Sequence, residues 1–147
     1  MDVLLYNHHD DPQLRGQAAL FACGILKSVA SGYEITGKSV EELICLIEER
    51  LKDKEVAACR LALQGLQQLL PTVVETPFCP KFIPLLQSLL SVSENPYWLV
   101  KVDLLEVLAS IPWDALQFGT SNVPFFNFNM FQKNVLRKEI HFASTKS

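Results

Sequence analysis

The sequence predicts an all-α solenoid, a row of helical hairpins stacked side by side, and three observations lead there. Apolar residues recur at spacings of three and four through successive segments. Those segments open at capping residues and stop at glycine or proline. The helical pattern also returns at a near-constant distance, with Leu14, Val56 and Leu99 in equivalent places, 42 and then 43 residues apart. A lone amphipathic hairpin cannot cover its own apolar face, so hairpins repeated at this period bury it against one another.

The first long helix starts at Asp11-Pro12, where the carboxylate can cap free N–H groups and proline fits the first helical position. Leu14, Ala18, Phe21, Ala22, Ile25 and Val29 then form one apolar stripe, and Gly32 supplies the stop. Val3, Leu4 and Leu5 are the remnant of an outer helix before it. Ser39 opens the next helix with Glu42 three residues on, the pattern of a reciprocal capping box. Its buried side carries Val40, Leu43, Ile44, Ile47 and Leu51. A short break at Lys52-Asp53-Lys54 turns the chain back into a helix from about Lys54 to Leu70, ending before Pro71 and burying Val56, Cys59, Leu63, Leu66 and Leu70. After the Pro71–Pro80 connector a second hairpin begins at Phe82, with Pro84 opening its first helix or kinking the first turn. Its partner starts at Asn95-Pro96, the same device as Asp11-Pro12, and runs through Leu99, Val102, Leu105 and Leu108 to Pro112. Residues 1–117 are therefore expected to form about two and a half repeats. From Phe118 the texture changes to Gly119-Thr-Ser-Asn and Phe125-Phe-Asn-Phe-Asn-Met, so residues 118–147 read as an irregular, poorly ordered Phe/Asn-rich tail, with the alternation at Phe126, Phe128 and Met130 suiting at most a short strand.

Composition bounds what such a chain can do. Hydrophobic residues make up 49% and charged residues 20%, which excludes a solvated disordered chain. The formal charge of −3 with no basic block leaves nucleic acid without an electrostatic footprint to meet. Lys27, Glu34, Glu41, Arg50, Arg60, Lys81 and Lys101 interrupt every apolar run, so no direct membrane span is expected. The N-terminal Met1-Asp-Val-Leu-Leu-Tyr lacks the basic region of a secretory signal, which makes the cytoplasm the default compartment and the nucleus the other. Cys23, Cys45, Cys59 and Cys79 fall in helical positions that look buried and read as reduced structural thiols.

The period lies within the roughly 40–47 residues of HEAT and armadillo repeats, and two helices per unit favour HEAT. Asp11-Pro12-Gln13-Leu14-Arg15 resembles the HEAT inner-helix signature of Asp, Pro, an aliphatic residue and Arg. Together with Pro96-Tyr-Trp-Leu-Val-Lys-Val-Asp-Leu-Leu-Glu, it resembles a mid-chain HEAT segment of the huntingtin family over about residues 4–118. The resemblance implies a very large cytoplasmic scaffold that binds proteins, including its own adjoining repeats. It also implies no enzymatic activity, and links to vesicle transport along microtubules, autophagy and partner assembly. The middle repeat departs from it with Ala57 where Arg15 stands in the first, and the tail does not match; a piece of a longer solenoid is expected more than a small complete protein.

Candidate chemistry is sparse. His8-His9-Asp10-Asp11 holds metal-ligand types, but neighbouring side chains diverge and a solvated turn accounts for them. A Cys-His centre would need His8, His9 or His141 beside a cysteine, and no family signature supports this alternative of a small regulatory enzyme. A truncated product without independent function is a further alternative. No glycine-rich phosphate cradle occurs. No catalytic, cofactor-binding or metal-binding residue is assigned, and no cofactor is expected. Arg15 and Asp53 are expected to pair between repeats, setting register, and Lys101 and Asp103 to play comparable parts. Tyr97-Trp98 offers aromatic anchors for a partner, although packing beneath the neighbouring connector is the preferred reading.

Overall fold

The computed structural model of the protein describes residues 3–34 and 39–146, with side chains described as far as Lys138. Among them the chain forms α1 (Val3–Tyr6), α2 (Pro12–Ala30), α3 (Val40–Leu51), α4 (Val56–Val73), a 3-10 turn (Cys79–Phe82), α5 (Ile83–Val92), α6 (Trp98–Ser110), α7 (Trp113–Gly119) and α8 (Phe128–Lys146), with no strand. Inner helices α2, α4 and α6 pack successively side by side. Outer helices α3, α5 and α8 do the same, and α1–α2, α3–α4 and α5–α6 are the hairpins that join the layers. The all-α stack expected from the period is the architecture observed.

Local chemistry explains where the helices start and stop. Gln13 N–H donates to Asp11 Oδ1 (2.9 Å), capping α2. Gly32 closes the same helix with φ +102°, a conformation open to glycine at little cost. It lets Tyr33 N–H reach Ser28 O (3.1 Å) while Gly32 N–H reaches Val29 O (3.0 Å), satisfying carbonyls that the helix end would leave unpaired. The Ser39–Glu42 capping box forms in both directions, each bond 3.1 Å. Pro71 does not end its helix as expected: it lies inside α4, whose last turn is held by burial of Val73 and the following Val74. A proline this near the C-terminus removes one backbone bond and leaves the turn intact. Pro84 opens α5 at its second position.

The α2–α4 contact is unusually close. A methyl group on Gly65 of α4 would lie 2.6 Å from Cys23 Sγ and 3.0 Å from its Cβ, and one on Gly16 of α2 would lie 3.0 Å from Ala58 Cα and 2.9 Å from Leu61 Cβ. Gly16 meets Ala58 and Leu61, while Gly65 meets Leu20 and Cys23, so the two helices run parallel in successive repeats. This closeness corrects the expected α2 stripe. The buried positions are Gly16, Ala18, Ala19, Ala22, Cys23 and Leu26, whereas Phe21 is 49% exposed, because small side chains are what let two helices approach.

The tail is also corrected. Residue 118 lies inside α7, and residues 128–146 form a helix, not an irregular segment or a strand. Asn127 accepts Met130 N–H on its side-chain oxygen (3.0 Å) and Phe131 N–H on its carbonyl (3.0 Å), capping α8. Phe131 and Val135 are buried. The Phe131 ring centroid lies 5.9 Å from Trp113 and 5.5 Å from Phe126, an aromatic cluster that seats α8 on the stack. Lys138 of α8 pairs with Glu94 just past α5. The outer layer thus continues beyond the expected boundary at residue 117.

The glycines give a paired test by urea unfolding. Gly65→Ala should lower stability by about 1 kcal/mol net, since overpacking outweighs the gain in helix propensity, with part recovered by adding Cys23→Ala. Gly24, whose Cβ would meet nothing within 4 Å, should instead gain about 0.5–1 kcal/mol as Gly24→Ala. Equal effects of the two substitutions would contradict the close packing.

Candidate functional site

Three turns lead into the inner helices, and each carries a short acid or amide at its first position. Asp11 Oδ1 accepts Gln13 N–H, Asp53 Oδ1 accepts Glu55 N–H and Asn95 Oδ1 accepts Tyr97 N–H, each at 2.9 Å. Residues 11, 53 and 95 are evenly spaced by 42, so the same local device marks each repeat. In the second turn the device also joins the repeats. Arg15 of α2 forks onto Asp53, Nε to Oδ2 at 2.9 Å and Nη2 to Oδ1 at 3.0 Å, while its Nη1 donates to the carbonyls of His9 (2.9 Å) and Asp10 (3.0 Å). Arg50 Nη1 adds a third contact to Asp53 Oδ2 at 2.9 Å. The expected Arg15–Asp53 pairing is therefore present, and Arg50 joins it.

The second rung runs from Arg60 of α4 to Asp103 of α6, with Nε to Oδ2 at 2.7 Å. Asp103 was expected to play such a part, but its partner Arg60 was not foreseen: alignment placed Ala57 opposite Arg15. Positions three apart share a helix face, so the base moves by nearly one turn and still reaches the next repeat. The third turn, which Ala57 does not reach with a charge, carries neutral Asn95 in place of an acid.

Burial grades the two rungs. The side chains of Asp53, Arg50 and Arg15 are 6%, 10% and 16% exposed, against 35% for Arg60. Burial alone pushes the Asp53 carboxyl up, but the Arg15 hydrogen bonds, the Glu55 N–H and the charges of Arg15 and Arg50 together hold it below the usual value of 3.8. Hydrogen bonding to Asp53 and to Asp103 raises Arg15 and Arg60 respectively, so both guanidiniums stay charged.

The remaining candidates are placed as follows. His9 stacks on Tyr6, centroids 6.0 Å apart, and its Nδ1 accepts Asp11 N–H (3.0 Å). His8 Nε2 lies 3.9 Å from Glu49 Oε2, and Glu49 also accepts from Asn7 Nδ2 (2.8 Å). Among the described residues no three His, Cys, Asp or Glu side chains are grouped to hold a metal ion; the His141 side chain lies outside those described. Cys23, Cys59 and Cys79 are buried, but Cys45 is exposed, contrary to expectation, because it lies on the outward side of α3. Burial pushes the three buried thiols up, Cys59 to about 11 with Asp53 and Asp103 adding to the effect, which keeps them protonated and poorly nucleophilic. Tyr97 and Trp98 are 40% and 56% exposed, so they are not packed away under a connector.

The family described as "Huntingtin, N-terminal HEAT" matches residues 6–145, which takes in α8 as well as the expected repeats. Huntingtin from Takifugu rubripes is 27% identical over 131 residues, covering 80% of this chain and 4% of that protein. An HD protein homolog from Dictyostelium discoideum is 26% identical over 136 residues, covering 83% of this chain and 4% of that protein. The chain thus spans about 4% of the length of these curated relatives.

Asp53→Ala should cost about 3 kcal/mol, because the largely buried Arg15 loses its acid and Arg50 keeps only Glu49 at 3.6 Å, whereas Asp103→Ala should cost about 1 kcal/mol at the more exposed rung. The Asp53 contribution has a defined pH window. A carboxyl whose folded pKa is depressed contributes fully above its unfolded pKa and loses that contribution as pH falls through the folded value. The stability difference between the natural chain and Asp53→Asn should accordingly shrink as pH falls below about 3.8, measured by urea titrations from pH 6 to 3. A difference independent of pH would remove Asp53 as an ion-pair partner.

Proposed function

The chain belongs to the huntingtin N-terminal HEAT family, and from that membership we propose that it is a protein-binding scaffold segment, without catalytic chemistry of its own, that stacks on adjoining HEAT repeats of a longer cytoplasmic protein. The observation that carries this reading is the graded ladder, Arg15–Asp53 and Arg60–Asp103, which fixes how successive repeats sit. Asp11 supports stacking at the other end: 42 residues earlier it accepts the N–H two residues on just as Asp53 does, and it is exposed where an arginine of a preceding repeat would arrive. Cys23, Cys59 and Cys79, buried and protonated, and His9, engaged in a turn, speak against the small regulatory enzyme. No helix among the described residues is long and apolar enough to cross a membrane.

The family resemblance extends the proposal to partner assembly in vesicle transport along microtubules and in autophagy. Chemically induced recruitment of the chain to vesicles should change the frequency of microtubule-directed runs, and the Asp53→Ala chain should do so less. Run frequencies unaltered by recruitment of the folded chain would rule out the transport role.

A further inference from the structure

Between the connector after α4 and the connector after α7 the surface opens into a cleft of ≈ 730 Å³. Its floor is firm. Val74 is buried, and Gly119 approaches Cys79 so closely that a Cβ there would lie 3.0 Å from Sγ and 3.4 Å from Val74 O. Pro77, Pro80 and Pro124 stand in the walls, so the backbone there is pre-set and little ordering is needed for binding. At the edge Phe118 is 84% exposed. An aromatic ring left in water beside an apolar cleft forms a surface suited to a partner.

We infer that this cleft takes a short extended peptide segment of a partner protein, with an aromatic or branched aliphatic anchor and a lysine or arginine beside it. The inference rests on the protein-binding reading above and specifies one place and one class of partner. The wall hydroxyls are already engaged: Thr76 Oγ1 donates to Val73 O (2.8 Å) and accepts Phe78 N–H (3.2 Å), and Ser121 Oγ donates to Phe118 O (2.8 Å). An apolar anchor therefore fits the interior better than a polar one. Among the described residues Glu75 is the one ionisable side chain lining the cleft, and Lys81, next to Pro80, lies 4.0 Å from Glu41, so the site favours a basic flank. Prolines offer no N–H for strand addition, which leaves side-chain anchoring as the mode of capture. A volume of this size holds a few side chains, not the face of a folded domain.

The test is selection of random twelve-residue displayed peptides on the full chain, followed by fluorescence anisotropy with the enriched peptides. Enrichment of an aromatic or aliphatic residue next to Lys or Arg is expected. Phe118→Ala should weaken binding about tenfold or more, and Glu75→Gln should erase the preference for the basic flank. Phe21→Ala, on a separate shallow groove of α2, should change nothing. Both test positions are exposed, and circular dichroism melts of the variants confirm folding. No enrichment, an acidic consensus, or binding unaffected by Phe118→Ala would overturn the inference. So would concentration-dependent dimers abolished by Phe118→Ala, which would make the occupant a second copy. Failure here with an intact effect of vesicle recruitment would remove the cleft assignment and leave the scaffold reading standing.

Discussion

Asp53 sits where the turn between α3 and α4 meets the start of α2. One carboxylate there closes the turn before α4 by accepting Glu55 N–H, accepts the fork of Arg15 from the preceding repeat and holds Arg50 of its own hairpin. The geometry of these contacts is mutually dependent. Arg15 can form its fork only if α2 and α4 lie side by side at the right height, and its remaining nitrogen ties down the His9 and Asp10 carbonyls that lead into α2. A buried ion pair of this kind is weak evidence for net stability, since desolvation offsets much of the attraction. Its larger effect is to penalise any other register, in which Arg15 would be left largely buried without an acid while Asp53 stayed with Arg50 of its own hairpin.

Packing in the inner layer imposes the same register by a different route. Gly16 and Ala19 on α2, and Ala58, Ala62 and Gly65 on α4, let the two helices approach until side chains meet backbone. Sliding one helix along the other would bring larger residues to the crossing. On α6, which packs against α4, the buried residues are the bulkier Val100, Leu104, Val107 and Leu108, and there the ion pair is also more exposed. The first joint of the stack is therefore more tightly specified than the second.

The parts of this fold legible in the sequence were those decided locally. Caps at Asp11 and Ser39, the stop at Gly32 and the period of the inner helices depend on residues within a turn of one another, and they formed as expected. Arg15–Asp53 was legible because a signature and a turn acid pointed to it. Arg60 was not, because aligning helices by their first apolar residue put Ala57 opposite Arg15, and nothing local shows that a base three positions on can serve. Phe21 looked like core by hydropathy, yet size decides at a close crossing, and the large ring is turned outward. In α8 the alternating Phe and Asn residues concealed the Asn127 cap and the Phe128, Phe131 and Val135 spacing. Only the tertiary contact with Trp113 and Phe126 shows which pattern prevails. The cleft had no sequence signal, since its walls come from two connectors more than 30 residues apart.

The even spacing of residues 11, 53 and 95 holds although the helices between them differ: α2 and α3 have 19 and 12 residues, α4 and α5 have 18 and 10, and a four-residue 3-10 turn in the second interval more than makes up the difference. What is fixed is a cadence, not the length of any member. Insertions and deletions in such a lineage would have to arrive in compensating pairs within one unit, most cheaply in the outer connectors. A lone residue added between Asp53 and Arg60 would turn the rest of α4 by about 100° and swing Arg60 away from Asp103. Drift in composition is tolerated here far more readily than drift in count.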